Sequence, residues 1–352
     1  MISIKKSGGN CVIQEHEFVE TCKLEFIANQ AIKGTYIPVK AAELKADTIV
    51  GFTMYHLMPL NEKYLQVVAA GDKLSESKRK RMQEVPEYYC HRDDVGLYAQ
   101  YLEENADKTA HGLSSRCRAQ FLSLSTGFAD LVLLITDQSA LSSYDAGKKL
   151  YEQCRKTANE LLANLGTVDS TWDVVTVSAV DDFGTIERSP AIAAYAGLLS
   201  LTKEIGKAED VVLSAMLCDI GFLELKPTIA HKLRDGIELN AEEKEYYGRI
   251  SLVSLNRCLS RKIPIPEKMK PIIVAAYERA DGKGIQQLEG RNVPIEAQLI
   301  HFCRLVDQAS NIKWGESRKP STEEIKNSII EKENLSGKFS PLLIQKVTHA
   351  KI

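Results

Sequence analysis

The sequence predicts a multidomain α + α/β protein. It divides into a small mixed α/β domain over residues 1–103, a helical connecting region over 104–180 and an all-helical bundle over 181–352. Three observations carry this expectation. A chain of 352 residues exceeds what one hydrophobic core usually organises. Short segments rich in β-branched and aromatic residues fill the first hundred positions. From about Ala106 onward apolar residues recur instead at three and four positions, the spacing of helices.

In chain order, Thr35–Val39, Thr48–Met54 and Tyr64–Val68 are read as strands separated by turn-type residues such as Asn61. Gly71-Asp72 breaks the pattern, and Ser75 is placed to cap a short helix running through Met82. That helix carries Lys78-Arg79-Lys80-Arg81, four like charges that sweep round its circumference and read as a solvated face. A strand around Tyr88-Tyr89-Cys90 and a helix near Val95 to Leu102 complete the unit. Beyond it, Ala146, Leu150, Cys154, Ala158, Leu161, Leu162 and Leu165 form one stripe of an amphipathic helix, opened by Ser142-Ser143 and stopped by Gly166. Helices follow at roughly 190–205, 208–218, 241–260, 268–280 and 294–311, the last with Pro294 in its first turn. A polar loop from Gly315 to Pro320 precedes Ser321-Thr322-Glu323-Glu324, a capping pattern that restarts a helix.

Composition excludes several function classes. Hydrophobic residues at 44% and charged residues at 26% mark a chain able to bury a core, not a disordered one. A net charge of −2 offers no long-range field for a polyanion or an anionic membrane, so neither a nucleic-acid polymer nor a membrane is an expected partner. The start of the chain turns polar before a signal-peptide core can develop. Its most apolar run, Leu131–Ile135, is closed by Asp130 and Asp137, which predicts no transmembrane helix. Eight cysteines lack the short spacing of a zinc or redox pair, and His91 beside Cys90 lacks the further ligands zinc needs, which suits reduced thiols in the cytoplasm.

Several helical positions of the second half resemble the HD-GYP family in order and separation. They are Leu213–Gly221 with its Cys218-Asp219 pair, Tyr277–Ile285 with Asp281-Gly282-Lys283-Gly284, Val293–Ala297 and Val306-Asp307. The resemblance runs from about Asp182 to Val347, where Leu335–Leu342 is similar to the family's closing helix. Residues 30–103 are similar to a small domain that precedes some of these enzymes, with Ala70–Leu74 as the best segment. The resemblance implies a metal-dependent phosphodiesterase of cyclic di-GMP, in which histidines and aspartates on neighbouring helices hold two or more metal ions that activate a water.

Carried over residue by residue, that site is largely replaced. Arg188 stands at the family's leading histidine, Cys218-Asp219 at the His-Asp pair and Phe222 at the lysine that follows. Tyr247 takes the next histidine position, Ala276-Tyr277 the His-His pair and Arg304 the late aspartate, while Gly284-Ile285-Gln286 stands for Gly-Tyr-Pro. Alanine has no lone pair to offer a metal and arginine repels it, so no metal, no cofactor and no catalytic residue is expected. Only His231 and His301 lie between Asp182 and Val347, so small shifts of register rescue at most one or two ligands.

The bland readings stand beside these. Asp219 caps a helix or pairs with Arg188 or Arg304, Cys218 is a small packing group, and Asp281-Gly282 is a turn. The expected function is therefore a non-catalytic signalling or scaffold protein of cyclic di-GMP-related bacterial signalling, whose partners are proteins such as diguanylate cyclases or effectors. The alternative is a receptor that binds cyclic di-GMP or a related nucleotide without hydrolysis, through Arg188, Arg279 or Arg304. Residual phosphodiesterase activity is the third.

Overall fold

A computed structural model describes residues 36–349 apart from 59–62, 86, 137–143, 167–187, 227, 230–231, 233–236, 285, 289 and 311–321. Ser142-Ser143, Asp182, His231 and the Gly315–Pro320 loop, all singled out in the sequence, lie outside the described residues. The described chain falls into two compact units, 36–122 and 123–349.

The first unit is built on a four-stranded antiparallel sheet in the order β1 (Tyr36–Lys40), β6 (Glu87–His91), β3 (Met54–Met58), β4 (Lys63–Val68). Tyr36 faces His91 across the first pair and Tyr55 faces Tyr89 across the middle one. The single strand expected over Thr48–Met54 is two. β2 (Thr48–Ile49) pairs with β5 (Lys73–Leu74) in a separate ribbon. Val50 exchanges backbone hydrogen bonds with Asp72 and Gly71, so the chain leaves one sheet there before entering the other at Met54. Helix α1 (Glu76–Met82) is capped as expected, Ser75 Oγ accepting from Lys78 N. Of its four basic residues Arg79 turns partly inward, donating from Nε to Leu44 O at 2.9 Å. Helix α2 (Val95–Glu104) lays Val95, Tyr98, Ala99 and Leu102 on the core of Val39, Phe52, Met54, Val68, Leu74 and Cys90.

Helix α3 (Ala110–Thr136) is long and apolar enough to cross a membrane by length and composition, a stretch the short Leu131–Ile135 run does not reveal. Its apolar residues are mostly buried against protein, among them Ala119, Phe121, Leu124, Phe128, Leu131 and Ile135, and so is the cation of Arg118. Those are the marks of a core helix. Of the region read from sequence as connecting, 104–180, the described residues up to Leu122 fall in the first unit and those from Ser123 to Gly166 in the second.

The second unit is helical. In α4 (Tyr144–Leu165) the buried stripe starts from Gly147 and Tyr151 and continues through Cys154, Ala158, Leu161, Leu162 and Leu165; Ala146 faces solvent, one position off the expected register. Helix α5 (Ser189–Lys203) is buried at every position from Ser189 to Ser200, which makes it the central strut. It meets α6 (Ala208–Leu217) closely at Gly197, where a Cβ would collide with Val212 and stand 2.8 Å from Leu162 Cδ2.

Two expected helices are interrupted, each for a visible reason. The 241–260 helix is α7 (Ala241–Gly248) and α8 (Ile250–Ser260), broken beside Gly248, a poor helix former. The 268–280 helix shrinks to α9 (Lys270–Val274) because Glu278 and Ala280 are committed elsewhere: the buried Glu278 carboxylate accepts from Gln286 N and Leu288 N, and Ala280 N donates to Lys338 O. Helix α10 (Ile295–Ser310) starts one residue after Pro294, α11 spans Thr322–Ser336 and α12 spans Pro341–Thr348. The closing helix of the Leu335–Leu342 segment therefore begins at Pro341, capped by Ser340 Oγ.

Candidate functional site

Helix α6 ends at Leu217, and the next two residues, Cys218 and Asp219, face the bundle interior before the chain tightens into a 3-10 turn over Ile220–Glu224. That turn depends on Gly221. A Cβ there would stand 2.5 Å from Ile250 O, and the bare backbone lets Gly221 N donate to Ser254 Oγ at 2.7 Å. Ser254 Oγ in turn lies 2.7 Å from Cys218 O, its one proton shared between that carbonyl and Ile250 O. Helix α8 thus fixes the direction in which Asp219 points.

Asp219 Oδ1 receives two short hydrogen bonds. Arg304 on α10 donates from one terminal nitrogen at 2.6 Å, and Tyr277, just past α9, donates its hydroxyl at 2.6 Å. The same Arg304 nitrogen is 3.4 Å from Cys218 Sγ, and the other reaches Ala276 O at 3.5 Å. The guanidinium carbon sits 4.0 Å from the centre of the Tyr277 ring, a cation–π stack. Phe222 and Tyr247 close the aromatic wall: Tyr247 packs edge-on to Tyr277 at 5.3 Å, and Phe222 lies 6.1 Å from Tyr247 and 6.4 Å from Tyr277. Asp219 is 1% exposed and Arg304 5%, so this is an interior ion pair.

Its electrostatics follow from burial and that one charge pair. Burial opposes the charge on Arg304, but Asp219, helped by Tyr277 and Cys218, outweighs it and holds the guanidinium protonated well beyond its ordinary range. Burial pushes the Tyr277 hydroxyl far up and the Tyr247 hydroxyl to about 12. Burial, then the Asp219 charge, raises the Cys218 thiol well above its usual value, so it stays a thiol and donates to Ala215 O at 3.3 Å. His301 on α10, whose Nδ1 lies 3.4 Å from Glu278 O, is driven down to about 3 by burial and then by Arg304. None of these groups is a poised base or an activated nucleophile.

The remaining sequence-selected residues lie apart from this centre. Arg188, at the start of α5, forms a two-pronged buried pair with Asp307, one turn beyond Arg304 on α10, with Nε 3.0 Å from Oδ2 and a second bond from a terminal nitrogen to Oδ1. Of the two partners expected for Asp219, Arg304 takes it and Arg188 does not. Arg279 pairs within its own turn with Asp281, at 2.9 and 2.7 Å. Sequence reasoning missed three things: the Tyr277 hydroxyl as a ligand of Asp219, Asp307 as the counter-charge of Arg188, and the loop-holding carboxylate of Glu278. Asp307 stood three residues after Arg304, the spacing that puts two side chains on one helix face, and that was the available signal.

The HD-GYP resemblance implies a metal at this centre, and the residues present do not fit one. Among the described residues its carboxylate is Asp219 alone, its thiol is protonated, and a guanidinium already stands where an incoming cation would bind. Among the described residues no three His, Cys, Asp or Glu side chains gather as a metal site.

Comparison with known proteins agrees with the architecture. Residues 178–341 match the HD domain family model. No curated protein matches the chain. Among solved structures the chain is similar to Bd1817, a HDG"Y"P protein from Bdellovibrio bacteriovorus, at 16% identity and a TM-score of 0.50, over 89% of this chain and 98% of that one. At that identity the likeness is one of fold. Residues 178–341 thus match the HD domain family, in a chain similar in fold to an HD-GYP protein.

Proposed function

We propose that this chain is a non-catalytic member of the HD superfamily, a pseudoenzyme that works as a signalling or scaffold protein through contacts with other proteins in cyclic di-GMP-related bacterial signalling. One observation carries this reading: the Arg304 guanidinium neutralises Asp219 in the bundle interior, where the HD-GYP resemblance would put a metal ion. An internal cation of this kind satisfies the carboxylate permanently and supplies neither an activated water nor an open coordination position. The reading puts the chain in the cytoplasm, in keeping with six described cysteines that are free and buried.

Hydrolysis of cyclic di-GMP by the purified chain, supplied with manganese or iron, is expected to stay at buffer level. Saturable turnover would overturn the non-catalytic reading. The receptor alternative requires Arg188, Arg279 or Arg304 to hold phosphate, yet each is already bound to a carboxylate, of Asp307, Asp281 and Asp219 in turn. A phosphate would have to displace a buried or bidentate partner. Calorimetric titration with cyclic di-GMP should therefore give no saturable heat, and a one-to-one isotherm would replace the scaffold reading by the receptor one.

A further inference from the structure

The sheet of the small domain ends in two unequal edges. β1 forms one and β4 the other, and among the described residues β4 pairs with β3 alone. Pro38 sits opposite Tyr89 in the ladder between β1 and β6. A proline has no N–H to give, so it keeps a place in a ladder where its nitrogen points away from the neighbouring strand. Backbone groups of an antiparallel sheet face alternate neighbours residue by residue, which carries that phase across the sheet. Tyr89 turns its N–H and C=O to β3, where it meets Tyr55, and Tyr55 turns its own away from β4. Gln66, opposite Tyr55, is left with its N–H and C=O directed off the sheet. The side chains of this edge are open as well: Gln66 is exposed, Leu65 keeps 54% of its surface in water and Val67 is half-buried. Lys63, at the start of the strand, is its one charged residue.

We propose that the β4 edge docks a second copy of this chain, the two β4 strands pairing antiparallel about a two-fold axis at Gln66. In that register the N–H and C=O of Gln66 exchange hydrogen bonds with those of the partner's Gln66. A side-chain amide both donates and accepts, so the two Gln66 amides satisfy one another without a charge. Leu65 comes opposite the partner's Val67, twice by symmetry, and the apolar surface that β4 leaves in water is covered. The two lysines stay apart, since Lys63 lies three residues from the axis. An acidic or basic segment finds no pattern of opposite charge on this edge, whereas a second β4 matches it residue for residue. Pro38 closes β1 as an acceptor for the β4 of another copy, so the assembly stops at two instead of growing head to tail. A six-residue edge is a small contact, which makes the pairing concentration-dependent.

Sedimentation of the full chain over a range of about 1 to 100 μM tests this, and the mean mass should climb from one chain toward two. Gln66→Pro puts on β4 what Pro38 puts on β1: it removes the outward N–H and leaves the bonds to β3 in place. Association should weaken by about tenfold or more, with circular dichroism checking that the variant is folded. Leu65→Lys sets a charge against the partner's Val67 and should weaken it similarly, which decides the matter if Gln66→Pro does not fold. Ile49→Thr, an equally exposed apolar residue on β2, should leave the association at the wild-type strength and so separates edge pairing from unspecific apolar contact. A chain that stays single at about 100 μM, one that grows past two, or a dimer of undiminished strength in the folded edge variants overturns the proposal.

Discussion

Asp219 and Arg304 hold one another in place of solvent, and the cost of separating them is the measure of that role. Asp219→Ala strands a buried guanidinium and is expected to lower the unfolding free energy by about 3 to 5 kcal/mol, read by chemical denaturation; an unchanged midpoint would remove the pair from the core. Replacing both partners by apolar residues, as in Asp219→Ala with Arg304→Met, should recover much of that loss, because no charge is then left unpaired. His301 gives the site a pH signature. Its folded pKa is about 3 against an ordinary 6.5, so the unfolded chain takes up a proton that the folded chain refuses. His301 therefore costs nothing above pH 6.5, and stability falls as pH drops from there toward 3, by up to about 1.4 kcal/mol per pH unit. Denaturation midpoints followed from pH 7.5 to 4.5 should show that slope flattened in His301→Phe. The scarcity of metal-ligating side chains at these positions is legible in the sequence because residue identity alone decides whether a lone pair exists. The pairing was legible only in part, since Arg188 and Arg304 are the same residue type and only the placement of their helices assigns Asp307 to one and Asp219 to the other.

Among elements, those whose own sequence carries the signal came through. Ser75 caps α1, and the three-and-four spacing marks α4, α5, α6 and α10. Where a long-range hydrogen bond decides, the local signal failed: α9 stops at Val274 because Glu278 and Ala280 bond to distant backbone, and Thr48–Met54 divides because Val50 is bonded to the Gly71-Asp72 turn. The ends of α5 and α12 show another long-range device. Lys346 on α12 donates to Lys203 O at 2.7 Å and Glu204 O at 3.4 Å at the end of α5, while Lys203 donates to His349 O at 2.7 Å at the end of α12. Each lysine places its charge on the carbonyl end of the other's helix, where a cation is favoured. Lys346→Ala should cost about 1 kcal/mol, checked by thermal denaturation, and an unaltered transition would mean that the exchange contributes nothing. Gly197→Ala is expected to cost more, about 1 to 3 kcal/mol, since α5 and α6 must move apart to admit one methyl group.

At the scale of the whole molecule, the helical unit closes its interior around its own charges. Arg304 with Asp219 and Arg188 with Asp307 stand one turn apart on α10, two buried neutral pairs at positions where the HD-GYP resemblance implies ligands. The small domain has a separate core of its own. The most direct measurement is the metal content of the purified full-length chain after incubation with iron or manganese and removal of the excess, by elemental analysis. The account predicts well under one ion per chain, the same in wild type and Asp219→Ala. About two ions per chain, lost in Asp219→Ala, would contradict it.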